Sequence, residues 1–175
     1  MATVNSYTRV MPTPDRTSLD EIVAVARELL EQDALTMQAV AERVGVQAPS
    51  LYKRVRSRDE LVRLVAEATL TDFSRIEGDI YAVASAFRRF AHERPAAFRL
   101  IMGFSSPLLV AASEPILRAA SALTGPTDSL LAARTFTAWA TGFITMELNG
   151  GFNLGGSVDE AWEYGLAAMV KAISA

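Results

Sequence analysis

The chain has 175 residues, half of them apolar, and is therefore long enough to bury a sizeable core. It contains no cysteine and a single histidine, His92, which excludes disulfides, thiolate nucleophiles and metal sites built on several histidines. The net charge of −3 conceals a local excess of cations, because four of the six residues from 53 to 58 are basic. We therefore expect a protein without a metal site, a cofactor or an enzymatic activity.

The N-terminal region and the most apolar segment give no sign of export or membrane insertion. Residues 1–16 lack the basic-then-apolar order of a signal peptide and are predicted to form a flexible arm. The segment 100–123 is interrupted by polar residues and prolines, so it offers no run of about 18 apolar residues that could span a membrane. A cytoplasmic protein is the expectation.

Two capped helices begin the folded part of the chain. Ser18 stands three residues before Glu21, a spacing typical of a helix N-terminus, and an apolar stripe continues to about Gln32. Thr36 is a second candidate cap, since its hydroxyl oxygen can accept a hydrogen bond from the next turn. Gly45 then ends the second helix, because a sharp end needs a residue that tolerates positive φ.

A third helix is predicted from Pro49 to about Val55. Proline is tolerated in a first turn because its missing N–H has no partner within the helix. Leu51 and Val55 are four residues apart and point inward, which leaves polar and cationic side chains pointing outward. A helix, a glycine turn and a second helix with outward cations form the pattern of a helix-turn-helix, whose second helix enters the major groove of DNA.

These residues resemble the tetracycline-repressor (TetR) family. The family shows a hydrophobic-Ala-x-x-x-Gly-Val run, a small or polar pair, Leu-Tyr, a basic position and an acidic cap. The matching residues here are Val40-Ala41, Gly45-Val46, Pro49-Ser50, Leu51-Tyr52, Arg54-Val55 and Arg58-Asp59-Glu60-Leu61. Arg54 stands where the family often has histidine. The resemblance implies a DNA-binding domain over residues 17–60 and a ligand-binding and dimerisation domain over residues 61–175.

The predicted DNA contacts surround the second helix of the motif. Lys53 or Arg54 can reach guanine O6 and N7, whereas Ser50 and Tyr52 suit a phosphate or a thymine methyl. The alternative for these side chains is a solvated helix face. Backbone-phosphate contacts are expected for two of the set, Thr36 and Arg58, because both lie near helix N-termini. The complete predicted set is Thr36, Ala48, Pro49, Ser50, Tyr52, Lys53, Arg54 and Arg58.

The remaining sequence is helical in character and shows no alternating strand pattern. A long fourth helix begins at Ser57 and runs toward Ile76, and later helices are predicted over 79–92, 95–103, 107–123, 127–149 and 158–173. The segment from Phe90 to Pro95, followed by 98–102, resembles the C-terminal domain type called WHG in this family. We therefore expect an all-α protein in which the long helix joins a three-helix head to a C-terminal helical bundle.

Bulky apolar side chains in the C-terminal half allow two interpretations. Most such residues form cores, but the resemblance implies a cavity for a small molecule that controls DNA binding, and such cavities are mostly apolar. The predicted wall consists of Phe98, Met102, Trp139, Phe143 and Glu147. Because Glu147 interrupts an apolar run, it either pairs with a cation or faces the cavity.

The last two predicted helices have more apolar surface than one bundle needs. Trp162, Leu166 and Val170 share one face of the final helix, and the resemblance implies that the helix pair packs against a symmetry mate. A homodimer would place two recognition helices about 34 Å apart, which matches successive major grooves.

Together these features predict a bacterial repressor, associated with the nucleoid when bound, that a small apolar molecule releases from a palindromic operator. The partners would be double-stranded DNA, the effector and a second copy of the chain. The alternative is a DNA-binding or partner-binding protein of the same fold without an effector.

Overall fold

Residues 17–174 are described by a computed structural model, and within this range the chain forms ten α-helices and no strand. The prediction of an all-α protein is thus confirmed. No helix of this range is long and apolar enough to cross a membrane. The flexible arm predicted over 1–16 lies outside the described residues. The helices are α1 (Leu19–Glu31), α2 (Met37–Val44), α3 (Ala48–Tyr52), α4 (Arg58–Ser74), α5 (Ile80–Glu93), α6 (Pro95–Met102), α7 (Leu108–Ala112), α8 (Glu114–Thr124), α9 (Ser129–Leu148) and α10 (Val158–Ile173).

Short polar side chains begin the first, second and fourth helices, as the sequence predicts. The Ser18 hydroxyl oxygen accepts from the backbone N–H of Glu21 at 3.1 Å, and that of Thr36 accepts from Ala39 at 3.0 Å. Ser57 caps α4 in the same way. Each cap satisfies a backbone donor that has no acceptor within the helix. Gly45 ends α2 with φ of 77°, a conformation that glycine adopts without strain.

Two helix predictions are wrong in extent. The third helix ends at Tyr52 rather than near Val55, and the chain continues as a turn in which the Val55 N–H still bonds to the Leu51 carbonyl. The predicted helix 107–123 is two helices, α7 and α8, separated at Ser113. Pro115 explains this break, because in a continuous helix it could not donate to the Ala111 carbonyl and its ring would clash with that carbonyl.

The head, formed by α1, α2, α3 and the first half of α4, has its own apolar core. Its fully buried members are Ile22, Ala26, Val40, Ala41, Leu51, Val55, Leu61 and Val65. The inward positions of Leu51 and Val55 agree with their four-residue spacing. Leu100 of α6 also packs against this core, so the head is in apolar contact with the rest of the chain.

The body, formed by the second half of α4 and by α5 to α10, contains a second core. Buried side chains from α5, α6, α8, α9 and α10 meet there: Ile80, Phe98, Ala119, Phe136, Ile144, Trp162 and Leu166. Trp139 stacks on Trp162 with ring centres 4.8 Å apart, which joins α9 to α10. The long helix α4 contributes to both the head and the body.

Candidate nucleic-acid interface and interior cavity

The short helix α3 has one buried face and one outward face. Leu51 anchors it in the head core, while Pro49, Lys53 and Arg54 are exposed and the Tyr52 side chain is 48% exposed. The other two predicted contacts on this helix, Ala48 and Ser50, are half-buried. The outward face therefore carries an aromatic ring and two cations, a combination that can meet phosphates and base edges.

Thr36 and Arg58 lie together at the edge of this face. The Arg58 Nε donates to the backbone carbonyl of Leu35 at 3.1 Å, which brings the start of α4 beside the start of α2. Thr36, the next residue, uses its hydroxyl oxygen to cap α2. The bond at Nε orients the exposed guanidinium next to the positive end of a helix, where a phosphate would be favoured.

The eight predicted contact residues thus come from three neighbouring segments of the head: the N-termini of α2 and α4, and α3 with its following turn. Arg56 is an exposed cation of the same turn that was left out of the predicted set. Its backbone N–H donates to the Glu60 carboxylate at 2.6 Å, which fixes the turn between α3 and α4. The basic run 53–58 was the signal that could have included it.

A cavity of about 170 Å³, partly open to solvent, lies in the interior of the body. Side chains from six helices, α4 to α9, form its wall: Leu70, Phe73, Ile76, Ile80, Val83, Ala84, Phe87, Ile101, Met102, Leu109, Ala112, Ser113, Pro115, Ile116, Phe136, Thr137, Trp139 and Ala140. Ser113 and Thr137 supply its hydroxyl groups, and no charged side chain of the described residues lines it.

Two of the five predicted wall residues, Met102 and Trp139, line this cavity, and three do not. Phe98 is buried in the body core beside Phe87. Phe143 packs against Trp139, Phe152 and Trp162 and does not line the cavity. The cavity was predicted to be lined from the helices between 79 and 149, which leaves out the contribution of Leu70 and Phe73 from α4. The apolar stripe of α4, which continues beyond the head, was the available signal.

Glu147 takes part in a polar cluster away from the cavity. The Arg88 guanidinium donates to both of its carboxylate oxygens, at 3.0 and 2.5 Å, and His92 Nε2 lies 3.1 Å from Oε2. Arg88 also pairs with Asp159 at 2.6 Å and lies over the Trp162 ring. Of the two interpretations of Glu147, the structure favours pairing with a cation.

Contacts within the cluster shift the pKa values of Arg88 and Glu147. The pKa of Glu147 is lowered from its usual value, chiefly by the hydrogen bonds from Arg88, against the opposing effect of burial and with further help from His92. The pKa of Arg88 is raised, first by its hydrogen bond with Glu147. The pair therefore stays charged at neutral pH and ties α5 to α9.

Comparison with known proteins identifies the family. Residues 22–65 match the pattern described as bacterial regulatory proteins of the tetR family, and residues 80–169 match the tetracyclin repressor-like C-terminal domain. The second match alone spans more than half of the chain. This protein belongs to the TetR family. It is therefore a DNA-binding transcriptional regulator rather than an enzyme, as the sequence predicts.

Individual relatives agree with this assignment. An uncharacterised HTH-type transcriptional regulator of Mycobacterium tuberculosis is 29% identical, over 78% of this chain and 73% of the relative. An HTH-type transcriptional regulator of Saccharopolyspora erythraea is 30% identical, over 73% of this chain and 60% of the relative.

Two solved structures share the fold. A Rhodococcus protein of unknown function superposes with a TM-score of 0.76 at 21% identity, over 94% of this chain and all of that one. A TetR variant from Acinetobacter baumannii in complex with minocycline gives a TM-score of 0.66 at 22% identity, over 90% of this chain and 96% of that one.

Proposed function

We propose that this TetR-family regulator is a repressor that binds a palindromic operator as a homodimer and is released by a small apolar molecule. It would act in the bacterial cytoplasm, on the nucleoid. The observation that supports effector control is the apolar cavity of about 170 Å³, which α4 and α6 both line. Both helices also contact the head, so a molecule in the cavity adjoins elements that position α3.

The cavity wall defines the chemical class of the effector. A charged ligand would lose its hydration there without gaining an ionic partner, because the wall offers hydroxyl groups only from Ser113 and Thr137. A dry apolar cavity of about 150 Å³ accommodates benzene, so a neutral molecule of one ring fits the observed volume. Met102, whose side chain is 44% exposed, is flexible enough to adapt to a somewhat larger molecule.

A small-molecule effector is further supported by the Acinetobacter neighbour, which was crystallised with minocycline. That protein shares the fold at low sequence identity, so it supports the existence of a ligand site and carries no information on the ligand of this chain. The partner-binding alternative without an effector would be expected to have a tightly packed body without a cavity. The cavity therefore supports effector control over this alternative.

The homodimer is proposed to form through the outward faces of α9 and α10. These faces carry small, hydroxyl-bearing or apolar residues at helical spacing, and the exposed members are Leu131, Thr135, Ala138, Gly142, Ala161, Tyr164 and Ala168. Closely spaced small side chains let two helix pairs approach, and a two-fold axis then orients the heads toward successive major grooves.

The test uses an operator duplex that the wild-type protein selects from a random DNA pool. Toluene, as a neutral one-ring probe, is expected to raise the melting temperature, since it binds the folded protein, and to weaken DNA binding. Ala84→Leu, which fills the cavity, should abolish both effects of added toluene. Toluene that raises the melting temperature without changing DNA affinity would contradict effector control and favour the partner-binding alternative.

A further inference from the structure

The carboxylate of Glu31 joins the head to the body through two backbone hydrogen bonds. Its oxygens accept from the N–H groups of Ala96 and Ala97, each at 2.9 Å. These residues form the first turn of α6, which begins with Pro95 and receives no side-chain cap from the preceding Arg94. Glu31, at the end of α1, therefore caps a helix of the other domain, and its charge favours the positive end of that helix.

Helix α6 is in contact with the head and with the cavity. Leu100 packs against the head core, whereas the next two residues, Ile101 and Met102, line the cavity. A molecule that displaces the buried Ile101 therefore acts on a helix whose first turn is bonded to Glu31. A single helix of eight residues, α6, therefore connects the cavity to the head.

A second polar contact of α1 goes to α4 rather than to α6. Arg27 Nη2 lies 2.7 Å from the Asp72 carboxylate, in the part of α4 that belongs to the body. The Arg27 side chain is 22% exposed and that of Asp72 50%, so water screens this pair only in part, and the pair joins α1 to α4. Glu31, by contrast, is bonded to α6 itself, so the end of α1 moves with that helix.

We propose that Glu31 is the positioning residue that couples the state of the cavity to the DNA-binding head. The proposal rests on the effector control argued above and adds the contact that transmits it. When the cavity fills, α6 shifts, the two bonds carry the C-terminal end of α1 with it, and the recognition helix changes its position relative to the body. Without the carboxylate, α6 can shift while the head stays in its DNA-binding position.

The experiment places an occupant in the cavity covalently, so that no effector need be known. Ala84 is buried and lines the cavity, and Ala84→Leu puts an apolar branch into it. DNA affinity is measured for the wild type, Ala84→Leu, Glu31→Ala and the double variant, which together form a double-mutant cycle. Glu28→Ala is the matched control, because Glu28 is an exposed glutamate of the same helix. Ala140→Leu places an apolar branch in the cavity from α9 if Ala84→Leu does not fold, because Ala140 is buried and lines the cavity.

We expect Ala84→Leu to weaken DNA binding about tenfold, within the usual range of coupling between two sites. In the Glu31→Ala background the same substitution should change affinity less than about threefold, and in the Glu28→Ala background it should keep its full effect. Glu31→Gln, which retains one carbonyl oxygen as acceptor, should give an intermediate value. If Glu31 only stabilised α6, Glu31→Ala would lower the melting temperature. Ala84→Leu would then weaken DNA binding by the same factor with and without Glu31.

The two possible failures are distinct. If the cavity-filling substitution weakens DNA binding equally with and without Glu31, the coupling role of Glu31 is wrong and effector control stands. If neither cavity-filling variant changes the DNA affinity of the otherwise wild-type protein, effector control through this cavity is wrong, and the role of Glu31 is wrong with it. Circular dichroism on every variant establishes that the helices are intact.

Discussion

The outward cations of α3 and its following turn are the residues on which DNA recognition depends in our proposal. Lys53→Ala and Arg54→Ala should each weaken binding to the selected operator, and a base-reading member should lose about 1–3 kcal/mol and its preference at one base pair. Fluorescence anisotropy with single-base operator variants measures both effects. A double substitution that leaves operator affinity at the wild-type value would remove α3 from the recognition surface.

Arg58 should behave differently from Lys53 and Arg54, because its position at the start of α4, beside the start of α2, suits a phosphate. Arg58→Ala is expected to weaken binding to all duplexes alike and to reduce the slope of log affinity against log salt by about one. The melting temperature should also fall slightly, since the bond to the Leu35 carbonyl is lost. Arg63→Ala, an exposed cation paired with Glu67, is the control and should leave the salt dependence unchanged.

The polar cluster around Glu147 predicts a pH-dependent stability. The folded-state pKa of Glu147 lies below its ordinary value of 4.5, so its contribution is complete above that pH and is lost as pH falls through the folded-state pKa. Glu147→Gln should therefore destabilise the protein at neutral pH, and the difference from wild type should shrink under acid. Urea unfolding at several pH values measures this, with the exposed Glu163→Gln as control. A constant difference at all pH values would mean that the carboxylate charge is not involved.

The sequence predicts the role of a residue wherever that role depends only on neighbours in the chain. The cap hydroxyls of Ser18, Thr36 and Ser57 needed only the helix that follows each of them. Glu147 and Glu31 were different, because their partners lie about 60 residues away in the chain. A signal for Glu31 did exist: it ends α1, where the helix dipole disfavours a carboxylate, so an acidic residue there suggests a partner elsewhere.

Helix positions were predictable wherever a cap and a breaker bracket an apolar stripe. The final helix begins and ends at the predicted residues, because Ser157 caps its first turn and a glycine-rich loop precedes it. The third helix was overestimated because Val55 keeps its i−4 hydrogen bond while the chain has already left the helix. Periodicity alone cannot distinguish such a turn from another helical turn.

The contact between α9 and α10 depends on the absence of a side chain at Gly165. A Cβ at this position would lie 2.6 Å from the Trp139 Cζ2 atom, far inside van der Waals contact. Gly165→Ala should therefore displace the indole and lower the free energy of unfolding by about 1–3 kcal/mol, although alanine is the better helix former. Chemical denaturation measures the loss, and tryptophan emission should shift because Trp139 moves.

A double-mutant cycle identifies the cause of that loss. In a Trp139→Leu background the indole is absent, so Gly165→Ala should cost much less. An equal cost in both backgrounds would show that the strain arises elsewhere on α10, and the close packing against Trp139 would not be its origin.

At the scale of the whole molecule, the sequence indicates which helices are apolar but not which partner each face meets. Trp162 and Leu166 were expected to face a symmetry mate, yet both are buried in the core of their own body. Val170 is half-buried against the same core. A helix that packs on two sides has two apolar faces, and the face with the larger side chains is the one that fills the interior. The small residues of the outward face, such as Ala138 and Ala168, were not part of the predicted interface.

Substitutions on the outward face of α9 and α10 test the proposed homodimer. Ala138→Asp and Ala168→Asp place a carboxylate in the proposed interface, where it would lose hydration without gaining a partner. Sedimentation velocity should change from dimer to monomer while circular dichroism stays the same, because neither residue belongs to the core. Leu166→Asp should instead unfold the protein. Ala82→Asp, on the exposed first turn of α5, is the control and should remain dimeric.

DNA binding connects this result to the proposed two-groove geometry. A monomer keeps one intact head, so it should retain weak non-specific binding and lose its preference for a palindrome over a single half-site, since two heads no longer bind as a unit. The comparison of whole operator and half-site affinities for wild type and Ala138→Asp measures this preference. If the wild-type protein is monomeric at micromolar concentration and still prefers the palindrome, the heads are not joined through α9 and α10.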